Sequence, residues 1–103
     1  MKEDLLKIIN NYGVMPQLKY FQSEVWELNE AIIKKEEDYQ FCETTVKMDK
    51  KNIEHIAEEI ADCYVMLEQF RIYYSITEQK ICKIIKQKIE RQLERIENEK
   101  TIN

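Results

Sequence analysis

"LKYFQSEVWELNEAI", Leu18 to Ile32, carries two patterns at once. Leu18, Phe21, Val25, Leu28 and Ile32 recur at spacings of three, four, three and four, which is the period of one apolar stripe on an α-helix. Glu24, Glu27 and Glu30 recur at every third position beside that stripe. The first pattern sets the fold class. The second poses the functional question, because acids next to a helix seam are either a solvated edge or a set of ligands.

Pro16 suits the first turn of this helix, where its missing N–H has no intrahelical partner, and the periodicity predicts an end at about Lys35. Upstream, Leu5, Ile8 and Ile9 make Met1 to Asn11 a short amphipathic helix that stops near "NNYG", since Asn and Gly tolerate the left-handed backbone of a helix end. Downstream, "EEDYQFCETTVKMD" lacks the period and reads as a loop. A third helix begins near Asp49 or Asn52, either of which can cap it. Its stripe is Ile53, Ile56, Ile60, Cys63, Leu67 and Phe70, and it ends around "YYSIT". Ser75 and Glu78 have the spacing of a capping box, so a fourth helix follows with Ile81, Ile85, Ile89, Leu93 and Ile96 inward and "NEKTIN" as a fraying tail.

These elements predict an all-α fold, a helical bundle of three long helices and a short N-terminal one, in a single domain spanning residues 1–103. One Gly, one Pro and 35% charged residues supply helix-forming side chains and little turn chemistry, which excludes an all-β fold. The net charge of −4 argues against nucleic acid and anionic membrane as partners. No apolar run has signal-peptide length or the 18 or so residues of a membrane span. Cys42, Cys63 and Cys82 are odd in number and form no CxxC, so the expectation is a cytoplasmic protein with reduced thiols acting as small hydrophobes.

On the predicted stripes, Glu24 and Glu27 each precede an apolar position, and so do Glu59 and Asp62. One residue is a rotation of about 100°, which puts both pairs at the edge of the buried seam, on the same flank. Two unit charges ~5 Å apart repel by roughly 3 kcal/mol at an effective dielectric of ~20 and by under ~1 kcal/mol in bulk water. Converging pairs in a partly buried cleft therefore require a cation. Oxygen donors without histidine or thiolate at matching spacing select Mg²⁺ or Mn²⁺ over Zn²⁺.

"SEVWELNEAI", "EEIADCYVML" and "KQKIERQLERIENE" together resemble the MazG-like all-α nucleoside triphosphate pyrophosphohydrolases, whose signature is an EExxE segment followed by ExxD on an adjacent helix. The resemblance covers about Leu18 to Glu99. Ser23 stands where the motif has its first glutamate, and 31 residues, most of them in "KKEEDYQFCETTVKMDKKNIEHI", separate Glu27 from Glu59. The resemblance implies Mg²⁺-dependent cleavage of a nucleoside or deoxynucleoside triphosphate to the monophosphate and pyrophosphate, for house-cleaning or nucleotide-pool control. It implies Glu24, Glu27, Glu59 and Asp62 as metal ligands, and a homodimer or homotetramer.

Glu27 or Glu30 is the expected proton acceptor from water. Lys88, Arg91 and Arg95 fall on one helix face and are candidates for polyphosphate contact. Trp26, Asn29 and Tyr64, close to the acids in sequence, are candidates for the base, and His55 lies one turn before Glu59. No GxxxxGK[ST] loop exists, which excludes a Walker-type cradle. Glu-x-x-His is missing as well, because Asn52 stands three before His55, and this excludes a di-iron carboxylate bundle. Two alternatives stay open: a non-enzymatic helical interaction module, and a degenerate relative that binds nucleotide without turnover.

Overall fold

The structure is a computed structural model that describes residues 1–41 and 46–102. Four helices and no strand occur among the described residues: α1 (Lys2–Tyr12), α2 (Val14–Phe41), α3 (Val46–Tyr73) and α4 (Glu78–Ile102). The all-α expectation holds. The chain divides into two compact units, residues 1–73 with α1, α2 and α3, and residues 74–103 with α4.

In the first unit Gly13 links α1 to α2. Its φ of 92° lies where a side chain is strained, its N–H donates to the Ile9 carbonyl at 2.8 Å, and its own carbonyl accepts from Gln17 N at 3.2 Å. One residue thus closes one helix and opens the next. Pro16 sits in the first turn of α2, as its missing donor requires. The predicted loop over 36–49 is instead largely helix, with α2 running to Phe41 and α3 starting at Val46. Asp49 accordingly lies inside α3 and not at its cap, and its Oδ1 pairs with Lys35 Nζ at 2.8 Å, tying the two helices together. Asn52 also lies within α3, and Cys42 falls outside the described residues.

α2 and α3 run antiparallel, since Gln17 meets Gln69, Phe21 meets Phe70 and Lys35 meets Asp49. The seam differs from the predicted stripes by one residue. On α2 the covered positions are Gln17, Phe21, Glu24, Leu28, Ala31 and Lys35; on α3 they include Asn52, Ile56, Glu59, Cys63, Met66 and Phe70. Leu18, Val25 and Ile32, with Ile53, Ile60 and Leu67, are exposed. Each triplet is spaced by seven, so a second apolar stripe lies beside the closed seam and stays open. Ala31, Cys63 and Met66 are small or pliable, which lets the two backbones approach along the closed side. α1 packs on both longer helices and buries Ile9 completely.

In the second unit α4 is capped by Thr77 and not by the predicted Ser75 box: Thr77 Oγ1 accepts from Lys80 N at 3.1 Å, and Ser75 adopts φ 55° in the preceding turn. Ile81 is partly covered, whereas Ile85, Ile89, Leu93 and Ile96, expected inward, are exposed.

Candidate metal centre

The rotation of the seam moves the acids from its edge into it. Glu24 is 5% exposed and Glu59 8%, facing each other from α2 and α3 in positions that a sequence of this period would fill with Leu or Ile. Glu27, one turn further along α2, is exposed. One carboxylate oxygen from each of Glu24, Glu27 and Glu59 lies within 4.8 Å of the others. Glu24 Oε2 and Glu59 Oε2 are buried without a hydrogen-bond partner.

The electrostatics carry the same mark. Burial pushes the Glu24 carboxyl above its usual range; the Tyr20 hydroxyl, bonded to it from one turn back, works against this, and the charges of Glu27 and Asp62 add to it. Burial also raises Glu59, reinforced by Glu27 and Asp62 and opposed by His55, whose Nε2 is 3.9 Å from Glu59 Oε1. Tyr20 is raised in turn, chiefly by its bond to Glu24. Asp62 is exposed and neighbours Glu24 closely enough to bond it, but its oxygens lie outside the tight three-residue set.

A buried carboxylate oxygen without a partner costs more than the ordinary hydrogen bond it lacks, and it calls for a missing ligand. The donor set fits a hard divalent cation. Cys63 is buried beside these acids, and burial together with the charges of Glu24, Glu59 and Asp62 holds its thiol protonated. Among the described residues the close-set donors are carboxylates alone, without a thiol or an imidazole, which disfavours Zn²⁺.

Two clefts flank the acids. The first, about 530 Å³, contains Trp26, Asn29, Glu27, Glu30, Lys34 and Glu59 within its lining. The second, about 550 Å³, is bounded by Glu24 and Asp62 and reaches Tyr12, Tyr20, Gln17 and Gln69. Trp26 and Asn29 thus reach one cleft, whereas Tyr64 lines a separate depression with Leu5 and Val65. Lys88, Arg91 and Arg95 share an exposed face of α4 in the other unit. Gln17 and Gln69 drew no attention in the sequence, although Gln17 is seven residues before Glu24 and therefore on its seam. Comparison of the chain with models of known protein families, with curated proteins and with solved structures returns no match.

Proposed function

We propose that the chain is a Mg²⁺-dependent nucleoside triphosphate pyrophosphohydrolase that cleaves (d)NTP to (d)NMP and pyrophosphate. One observation carries the reading: Glu24 Oε2 and Glu59 Oε2 are buried without partners inside a cluster of three carboxylates. The motif resemblance of the acidic segments supports it. Glu24, Glu27 and Glu59 hold the cation, and Asp62 completes the set from the next turn of α3. Mg²⁺, or Mn²⁺ in its place, neutralises phosphate charge and acidifies water when bound.

The chain's own groups then have separable roles. Tyr20 orients Glu24 through its hydrogen bond. Glu30 is exposed in the first cleft and outside the tight set, which leaves its carboxylate available to accept the water proton; Glu27 is the other candidate. The water's oxygen joins phosphorus, the α–β phosphoanhydride bond breaks and the leaving phosphate oxygen becomes part of pyrophosphate. Lys88 and Arg91, with Arg95, are assigned polyphosphate contact by the resemblance.

A second reading, a helical interaction module, is favoured by the open stripes Leu18, Val25, Ile32 and Ile53, Ile60, Leu67. A module needs no divalent ion. Mg²⁺ or Mn²⁺ raises the melting temperature of a metalloenzyme, and pyrophosphate appears from the common NTPs and dNTPs; neither occurs for a module. Metal and nucleotide stabilisation without pyrophosphate identifies a degenerate nucleotide binder. The same stripes support a homodimer or homotetramer, which light scattering checks: the parent gives a multiple of the chain mass at micromolar concentration, and Ile60→Glu lowers it.

A further inference from the structure

Resting on the nucleotide reading above, we infer that the cleft floored by Gln17 and Gln69 receives the nucleobase, and that this amide pair reads its edge. The cleft is built by α1, the start of α2 and the end of α3, all in the first unit. At about 550 Å³ it is within the range of roughly 300–1,000 Å³ typical of small-molecule sites.

Its floor is polar where packing alone calls for apolar side chains. Gln17 is 8% exposed and Gln69 2%, and Gln17 Nε2 donates to Gln69 Oε1 at 2.8 Å. Gln69 Nε2 finds only the sulfur of Met66, at 3.6 Å. A pair of carboxamides has four N–H groups and two oxygens, so these bonds leave on Gln17 both an acceptor and a donor unused. A carboxamide presenting a donor beside an acceptor matches the edge of a nucleobase, the geometry by which Gln and Asn grip adenine. The walls suit the faces of the base: Tyr12 and Tyr20 offer rings, and Ile8, Val65 and Met66 offer apolar surface.

Charge decides which end of a nucleotide enters. Among the described residues the Gln cleft is lined by no cationic side chain, and its charged residues are Glu24 and Asp62, where it meets the carboxylate cluster. Phosphates gain nothing there. The Trp26 cleft, in contrast, mixes Glu27, Glu30, Glu37 and Glu59 with Lys34 and His55, an environment for charged groups and ions. The base therefore lies on the Gln17–Gln69 side, and the sugar leads past Glu24 to the acids. Trp26 and Asn29, candidates from the sequence, lie on the other side.

Ligand-observed saturation-transfer NMR with unphosphorylated ribo- and deoxynucleosides, in the absence of metal, tests this without any catalytic step. At least one nucleoside at millimolar concentration gives a signal with the parent. Val65→Trp, which fills the cleft from an exposed position on its wall, removes that signal. Gln17→Leu weakens it at least fivefold or changes which nucleoside binds, and Trp26→Ala leaves it intact. The inference is overturned if no nucleoside binds the parent, if binding survives Val65→Trp, or if Trp26→Ala abolishes it. A failed metal centre shows up separately, as no melting shift with Mn²⁺, and leaves these nucleoside results standing.

Discussion

Two polar layers interrupt the seam between α2 and α3, and they are buried to the same depth. Gln17 and Gln69 form one; Glu24 and Glu59 form the other, with the edge-to-face rings of Phe21 and Phe70, 5.8 Å apart at 74°, also in the seam. The amides satisfy one another in part, because each is both donor and acceptor. The carboxylates cannot, because each is acceptor-only when ionised, and two of their oxygens are orphaned. A neutral polar layer can close on itself, whereas an anionic one needs something from outside. That difference separates a layer the fold can hold unaided from one that is relieved by neutralisation, whether by protons or by the proposed cation.

The largest effect expected is on the anionic layer. Glu24→Gln and Glu59→Gln each remove a ligand and relieve repulsion, so the metal-free melting temperature matches or exceeds the parent's while the metal-induced rise disappears. Turnover falls at least a hundredfold. Differential scanning fluorimetry with and without Mn²⁺, beside a pyrophosphate-release assay, reads both quantities. Parent-like hydrolysis in both variants breaks the comparison.

Protonation is a gentler way to neutralise the same layer. Glu24 and Glu59 have raised carboxyl pKa values in the fold, so the folded chain binds these protons more tightly than the unfolded chain. Their contribution to stability is fully present below the ordinary value of 4.5 and is lost as pH rises through the raised folded values. The metal-free parent therefore loses stability relative to the Glu24→Gln, Glu59→Gln double variant as pH climbs from 4.5 towards neutrality. Glu68, which its hydrogen bond from Arg71 holds below the usual range, contributes equally to both chains and cancels in the difference. Denaturant titrations across that window measure it; parallel curves refute it.

The same two layers show what the sequence revealed and what it hid. Helix number, the break at Gly13 and the end near Tyr73 follow from period and turn residues, and the structure has them. Periodicity also found a stripe on each long helix, but it selected the most apolar positions, Leu18, Val25, Ile32, Ile53, Ile60 and Leu67, which belong to the open face. Phe21, Leu28, Ile56, Cys63 and Phe70 of the predicted stripes do lie on the closed face, but between them it is written in Gln17, Glu24, Ala31, Glu59 and Met66, which the periodicity passes over for their more apolar neighbours. Spacing brings Glu24 and Glu59 to notice but places them at the edge of the stripe, whereas the structure has both in the seam. Gln17 and Gln69 were missed because nothing local marks a glutamine as buried; Gln17 alone stands one heptad from a buried acid, Glu24. The predicted loop failed because "EEDYQF" carries no apolar period, which is the signal by which a helix is read from sequence.

The amide layer is expected to respond less, and with a different sign structure. Gln17→Leu alone leaves the Gln69 carbonyl buried without its donor, a loss of about 1–3 kcal/mol, and Gln69→Leu leaves the Gln17 amide N–H without its acceptor. Replacing both exchanges an amide pair for an apolar one and recovers most of that loss. Urea unfolding of the two single variants and the double closes the cycle. Additive losses would mean that the amides do not act as a pair, and the contrast with the anionic layer would then lose its basis.

Least of all should change in Glu94→Gln. Glu94 and Glu97 repeat the spacing of Glu24 and Glu27, on a helix of comparable length. Both are exposed on α4, and Glu97 is 3.9 Å from Lys100 in a pair open to solvent. Exposed carboxylates keep their water, so neutralising one relieves no buried charge and removes no ligand; surface substitutions of this kind stay within about 0.5 kcal/mol. The variant should melt with the parent, keep the full Mn²⁺ response and hydrolyse nucleotide at the parental rate. Identical spacing with opposite outcome locates the effect in burial, since the fold takes Glu24 out of water and leaves Glu94 and Glu97 in it. A Glu94→Gln chain that lost the metal response would place the ion on α4 and dissolve the distinction between the seam acids and the rest.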